Sequence, residues 1–250
     1  MNEIKKTPIV ILNGFLGSGK TTLFLNLLAQ SKKKNIPVCA IVNDMSELDV
    51  DGELIGNTEL VENNSNILES INSCVLSSKK GIKKLDQSLK RLLSNQKPEL
   101  VIIETSGSCH PMPLVEYFKN HNKANLTGVF VLVDSLKMAH DFNYGESLIA
   151  NMQQNIIKGI RDTVNLLVEQ IMFCSHLILT KGDRIEEGKL ADVASYVQEI
   201  NPNVSTHSVL FGNLKIESLL ELPKYDFFKV GQLIEAVSYT HLTLPTTKQV

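Results

Sequence analysis

The sequence predicts an α/β fold, a mostly parallel sheet with helices on both faces. Three observations predict it. Short, continuously apolar runs alternate with amphipathic helical stretches along the 250 residues. A run that is apolar at every position reads as a strand covered on both faces. A Gly-rich turn joins the first such run to the first helical stretch, the connection a phosphate-binding βα unit uses. Hydrophobic residues are 43% and charged residues 21%, a globular balance that excludes a disordered or fibrous chain.

The elements follow in order. Pro8–Leu12 (PIVIL) is the first strand. In Thr21–Gln30 the side chains of Leu23, Phe24, Leu27 and Leu28 share one helical face. Lys32–Lys34 suit the negative end of that helix. Val38–Val42 is a second strand, and Gly52–Ser78, polar and Asn-rich, reads as a loop or irregular excursion. Leu85, Leu89, Leu92 and Leu93 mark an amphipathic helix. Leu100–Ile103 and Val129–Val133 are further strands. Val164–Leu179 reads as a helix followed by a strand at Leu177–Leu179. Leu190–Ile200 is a helix ended by Asn201-Pro202, then come a strand at Val204–Val209 and a short helix near Ile216–Leu220. Right-handed crossovers would gather the strand C-termini, and any ligand, along one edge.

Residues 1–222 are expected to form this domain, and 223–236 to begin a linker or a truncated C-terminal domain. Residues 237–250 (VSYTHLTLPTTKQV) are Thr-rich, lack an acid and fit no helix, so they read as a tail foreign to the domain.

A formal net charge of −2 gives no basic field for nucleic acid or an anionic membrane. Arginine is confined to Arg91, Arg161 and Arg184, which thins the supply of bidentate phosphate clamps. Cys39, Cys74, Cys109 and Cys174 form no CxxC pair, and the charged start Met1–Lys6 shows no secretory signal. Reduced thiols in a cytoplasmic protein are expected. Nowhere do about 18 apolar residues run uninterrupted.

Gly14-Phe15-Leu16-Gly17-Ser18-Gly19-Lys20-Thr21 matches G-x-x-x-x-G-K-[ST], between a predicted strand and a predicted helix. Gly14, Gly17 and Gly19 let the backbone turn its N–H groups, including that of Ser18, onto a phosphate. The helix N-terminus adds about half a positive charge. Lys20 reaches the β and γ phosphates, Thr21 offers its hydroxyl to Mg²⁺, and Thr22 continues the cradle. The fold is therefore that of a P-loop NTPase. Leu100–Glu104 is an apolar strand ending in a carboxylate, the form of a Walker B segment. Glu104 is the candidate for the Mg²⁺ shell, and the Gly107 N–H for the γ-phosphate.

Thr180-Lys181-Gly182-Asp183 follows the Leu177–Leu179 strand. A carboxylate at Asp183 accepts two bonds from the N1–H and N2 amine of guanine, and adenine offers no such donor pair. Lys181 would lay its stem along the base. The usual motif has Asn where Thr180 stands, and a shorter hydroxyl lowers the expected affinity or selectivity. A plain strand-end turn is the alternative.

N-G-F-L-G-S-G-K-T-T (13–22), V-N-D-M-S-E (42–47), E-T-S-G (104–107), V-D (133–134), Gln170 and T-K-G-D (180–183) stand in the order seen in CobW/YjiA-type GTPases. The chain resembles that family over about residues 7–222, and through it the UreG and HypB nickel-insertion GTPases of the SIMIBI class. The resemblance implies slow, Mg²⁺-dependent GTP hydrolysis coupled to handling of a metal, often zinc or cobalt. It also implies nucleotide-dependent contact with a client metalloprotein and self-association as a homo-oligomer. By family position Asp44 lies in switch I, near Mg²⁺ or the attacking water. Gln170 is a weaker candidate for nucleotide contact or sensing, and Phe211-Gly212-Asn213 for a base-edge contact.

The family's G-C-x-C-C metal loop corresponds to the stretch Asn72-Ser73-Cys74-Val75-Leu76-Ser77-Ser78, where only the first cysteine stands and Ser77 and Ser78 are poor substitutes. One thiolate does not hold Zn²⁺ tightly. A cluster of Cys74, Cys109 and His110 is the candidate replacement, with loop packing as the bland reading. His121, His140, His176 and His207 show no ligand spacing. Lys79, Lys80, Lys83, Lys84, Lys90 and Arg91 read as a solvated helical face, or a dock for an acidic partner. No cis arginine finger is evident beyond Arg161. Three functions compete: a GTP-dependent metallochaperone, a GTP-controlled switch without metal cargo, and a P-loop kinase. The kinase is disfavoured by T-K-G-D and by scarce arginine.

Overall fold

The topology reverses direction at one strand, and that reversal positions the site. The computed structural model describes residues 6–44, 68–186, 188–210 and 212–232. Met45–Glu47, Phe211, most of the polar stretch after Gly52, the tail, and the side chain of Asp44 lie outside the described residues.

The elements are β1 (Thr7–Gly14), α1 (Lys20–Lys34), β2 (Val38–Asp44), β3 (Leu68–Asn72), α2 (Lys79–Asn95), β4 (Leu100–Glu104), α3 (Pro111–Lys119), β5 (Ala124–Asp134), α4 (Ser135–Asp141), α5 (Leu148–Ile157), α6 (Thr163–Phe173), β6 (His176–Thr180), α7 (Lys189–Ile200), β7 (Ser205–Ser208) and α8 (Ile216–Leu220). The seven strands lie in the order β3-β2-β4-β1-β5-β6-β7, every described pairing parallel. From β1 the chain first builds the β4-β2-β3 side, then crosses to β5, β6 and β7. The crevice beyond the C-terminal end of β1 is thus the switch point where open α/β sheets bind ligands.

The apolar strands are buried on both faces, as their sequences require. Ile9 and Ile11 of β1 pack with Leu85 and Leu89 of α2, Leu114 of α3 and Ile171 of α6. Val10 and Leu12 point the other way, onto Leu23, Phe24 and Leu27 of α1 and Ile216 and Leu219 of α8. Helices on both faces are as expected.

The differences lie where periodicity is weak. β3 falls inside the stretch read as a loop. In its LESIN sequence only Ile71 is buried, and among the described residues it pairs with β2 alone. α3 begins on Pro111, the position that tolerates a missing N–H. α4 is capped by Asp134, whose carboxylate accepts from Lys137 N at 3.1 Å. Neither these nor α5 are long enough to impose a period on the sequence. Packing also continues past residue 222: Tyr225 is buried, its N–H donates to Leu126 O at 2.9 Å, and its hydroxyl donates to Phe173 O.

Candidate functional site

The phosphate loop spans the end of β1 and the start of α1. Gly14, Gly17 and Gly19 take φ of 132°, 77° and 94°, a left-handed backbone that L side chains resist. At Gly14 the restriction is also steric, since a Cβ would stand 2.3 Å from Leu132 O. Lys20 is only 7% exposed, and its ammonium donates to Gly14 O at 2.9 Å and Phe15 O at 2.8 Å. The lysine is folded over the loop it would share with a phosphate.

Thr21, in the first turn of α1, donates its hydroxyl to Glu104 Oε1 at 2.6 Å. Glu104 ends β4 and is 4% exposed. A hydroxyl and a buried carboxylate held together beside a phosphate loop are the oxygen donors Mg²⁺ takes in such sites. The residues present therefore fit that ion. The loop after β4 runs back over the phosphate loop, and a Cβ on Gly107 would stand 2.6 Å from Leu16 N. A cavity of about 840 Å³ opens here, lined by Gly17, Gly19, Lys20, Thr21, Thr22, Glu104 and Gly107. Lys137, Phe142, Thr163 and Leu166, not foreseen from sequence, also line it. Lys137 also stands 5.4 Å over the Phe15 ring. Its only signal in the sequence is its place three residues after V-D.

Thr180, Lys181 and Asp183, expected from sequence to receive a base, sit on the same sheet edge and do not line that cavity. Thr180 ends β6 and its hydroxyl reaches Ser18 O and Val133 O, joining the phosphate loop to β5. Lys181 takes φ 56° and pairs with Asp134. Asp183 is exposed in a short 3₁₀ turn that follows. Gly212 lies against the start of α1, where a Cβ would approach Leu23 N to 3.0 Å.

The Cys74, Cys109 and His110 cluster expected from sequence is corrected by the structure. Among the described residues no group of three or more His, Cys, Asp or Glu side chains is placed to hold a metal ion. Leu76, standing at the second cysteine of the family motif, is 0% exposed and anchors its loop in the core. Ser77 rather than Cys74 reaches the loop after β4, accepting from His110 N at 3.2 Å. Burial pushes the Cys109 thiol up to about 11. The His110 ring meets Glu169 Oε2 at 2.7 Å, and Glu169 also accepts from Arg161. Ser73 takes φ 61° where the motif has glycine.

Gln170 does not line the cavity. It is buried on α6, with its amide nitrogen 3.1 Å from Asn13 Oδ1.

Residues 8–208 match the family model described as CobW/HypB/UreG, nucleotide-binding domain. The chain belongs to the CobW/HypB/UreG family. It is 29% identical over 251 aligned residues to the Dictyostelium discoideum protein named zinc-regulated GTPase metalloprotein activator 1, covering 91% of this chain and 51% of that protein. It is 28% identical to the Pseudomonas aeruginosa protein named zinc chaperone CobW, covering 89% and 61%. The chain thus spans about half to three-fifths of these curated relatives' length. Among solved structures, hydrogenase maturation factor HypB from Archaeoglobus fulgidus superposes with a TM-score of 0.50 at 16% identity, covering 91% of this chain and 90% of that one. At that identity the likeness shows the fold. The matched residues include the phosphate loop Gly14–Thr21 and the strand-end Glu104. Among the described residues no helix is long and apolar enough to cross a membrane.

Proposed function

We propose that this chain binds GTP and GDP with Mg²⁺, hydrolyses GTP slowly, and couples nucleotide state to metal delivery or metallocentre assembly in a client protein. The observation that carries the reading is the Thr21–Glu104 hydrogen bond of 2.6 Å beside the glycine turns of the phosphate loop.

Thr21 and Glu104 would hold the Mg²⁺, which when bound neutralises charge on the β and γ oxygens. Lys20 would leave the carbonyls of Gly14 and Phe15 for phosphate oxygens, exchanging two neutral acceptors for charged ones. The N–H groups of Gly17, Ser18 and Gly19 at the start of α1 would hold the β phosphate. The Gly107 N–H would meet the γ-phosphate, and Asp44 would orient the attacking water. Thr180 holds the phosphate loop to β6, and Lys181 and Asp183 would receive the guanine. No described arginine lines the cavity, so the intrinsic rate is low unless a partner contributes charge.

Zinc, named in the relatives, enters as cargo. The burial of Leu76 and the hydrogen bond of Ser77 favour a second reading, a GTP-controlled client switch without metal cargo. Two measurements decide. GTP turnover that depends on Mg²⁺ and falls in Thr21→Ala supports the nucleotide reading, and turnover insensitive to both refutes it. Zn²⁺ titration with GDP, with a GTP analogue and without nucleotide separates the cargo readings. Sub-micromolar, nucleotide-dependent binding lost in Cys74→Ser supports delivery. Binding only in the millimolar range leaves the switch.

A further inference from the structure

We infer that Gln170 is a positioning residue that ties the loop after β4 to the phosphate loop, so that both respond to the γ-phosphate as one unit. The inference rests on the GTP reading above.

Gln170 lies on α6 and is 0% exposed, as is Asn13 at the end of β1. Its amide nitrogen stands 3.1 Å from Asn13 Oδ1, 3.3 Å from Cys109 O and 3.4 Å from Gly107 O. Two hydrogens therefore serve three oxygens on two different segments. Asn13 closes the ring: its Oδ1 also accepts from Gly14 N at 2.6 Å, and its Nδ2 donates to Cys109 O at 3.2 Å. The first amide of the phosphate loop and two carbonyls of the 105–109 loop thus share one pair of side-chain amides.

A residue that served packing alone would be apolar at this depth. Gln170 instead leaves its Oε1 buried without a hydrogen-bond partner among the described residues. Of its three contacts the one to Asn13 is of ordinary length, while those to Cys109 O and Gly107 O, at 3.3 and 3.4 Å, are longer than the usual N–H···O range and leave room to shorten. The lever is Gly107. Its carbonyl points to Gln170, and its Cα is so close to the phosphate loop that a Cβ would stand 2.6 Å from Leu16 N. When the Gly107 N–H moves onto a γ-phosphate, the displacement passes through the Gly107 Cα, which is pinned against Leu16, to its carbonyl in the next peptide group, and the Gln170–Asn13 pair carries that motion to Gly14. GDP, lacking the γ-phosphate, leaves the lever unused. α6 itself begins at the cavity wall with Thr163 and Leu166, so the same helix senses both ends of the movement.

The test uses the whole chain with Gln170→Met, which keeps side-chain length without the donor, and Gln170→Glu, which sets an anion against three oxygens. If Gln170→Glu fails to fold, Gln170→Met carries the experiment. The expected result for Gln170→Met is a fall in GTP kcat of about 10- to 100-fold. KM for GTP and Kd for GDP should stay within about 3-fold of wild type, the mark of an interaction made only on the way to reaction. Wild-type kcat in Gln170→Met overturns the inference. So does a parallel loss of GDP and GTP affinity in step with a lower melting temperature, which marks ordinary packing. Absence of Mg²⁺-dependent turnover in the wild type refutes the GTP reading itself and takes the inference with it.

Discussion

The hydroxyl of Thr180 donates to Ser18 O at 3.0 Å and to Val133 O at 3.2 Å, a three-centre bond that fastens the phosphate loop to the ends of β5 and β6. Thr180, which stands where the usual motif has Asn, is in the fold a clasp between the phosphate loop and the ends of β5 and β6. A hydroxyl needs no second function here, because both its acceptors are main-chain carbonyls.

Thr180→Val keeps the shape and removes the donor, leaving two buried carbonyls short of a bond. The expected cost is about 1–3 kcal/mol of stability, read by urea unfolding, with weaker GDP binding. Unchanged stability and affinity would mean that the clasp carries no load.

Glu104→Gln retains volume but removes the charge facing Thr21. GTP turnover should fall about 10- to 100-fold, with a higher Mg²⁺ requirement. The check is a Mg²⁺ titration of initial rates beside wild type. Equal midpoints would remove Glu104 from the ion's shell.

Gly107→Ala inserts a methyl 2.6 Å from Leu16 N, where main chain rather than a flexible side chain must give. Overpacking should cost about 1–3 kcal/mol, and nucleotide affinity should drop with it. Thermal unfolding with and without GDP reads both.

His176 stacks on Phe130 with ring centroids 4.5 Å apart and lies 5.8 Å from His207. Burial, reinforced by His207, lowers its pKa from 6.5 to about 4. The unfolded chain therefore binds the proton first as pH falls. The neutral ring's contribution is fully present above pH 6.5 and is lost between 6.5 and about 4. His176→Phe keeps the stack and removes the titration, so its stability should fall less steeply across that window. An identical slope in both proteins would contradict the assignment.

The parts of the fold legible in the sequence are those where every residue obeys one pattern. Pro8–Leu12 and Leu100–Ile103 are apolar throughout because both faces of β1 and β4 are covered. The phosphate loop was legible because its glycines answer a backbone demand, as the positive φ of Gly14, Gly17 and Gly19 shows. β3 was not, because an edge strand buries one face and its LESIN sequence shows a single buried residue. The metal cluster failed for a different reason. Cys74, Cys109 and His110 are ligand types at a suggestive place, but whether loops meet is decided by anchors such as Leu76 and Ser77 that carry no ligand chemistry. Asn13 opens the phosphate-loop motif, and Gln170 stands alone in the sequence as a weaker candidate for nucleotide contact or sensing. Their shared hydrogen bonds depend on β1 and α6 being neighbours, a tertiary fact no local spacing encodes.

The central claim is a guanine-nucleotide site built on the phosphate loop, and melting of the purified chain with Mg²⁺ and either GDP or ADP tests it most directly. GDP at 100 times its Kd should raise the melting temperature by about 5–10 °C, and ADP at the same concentration by less than about 1 °C. No shift with either nucleotide, or equal shifts with both, would contradict the account.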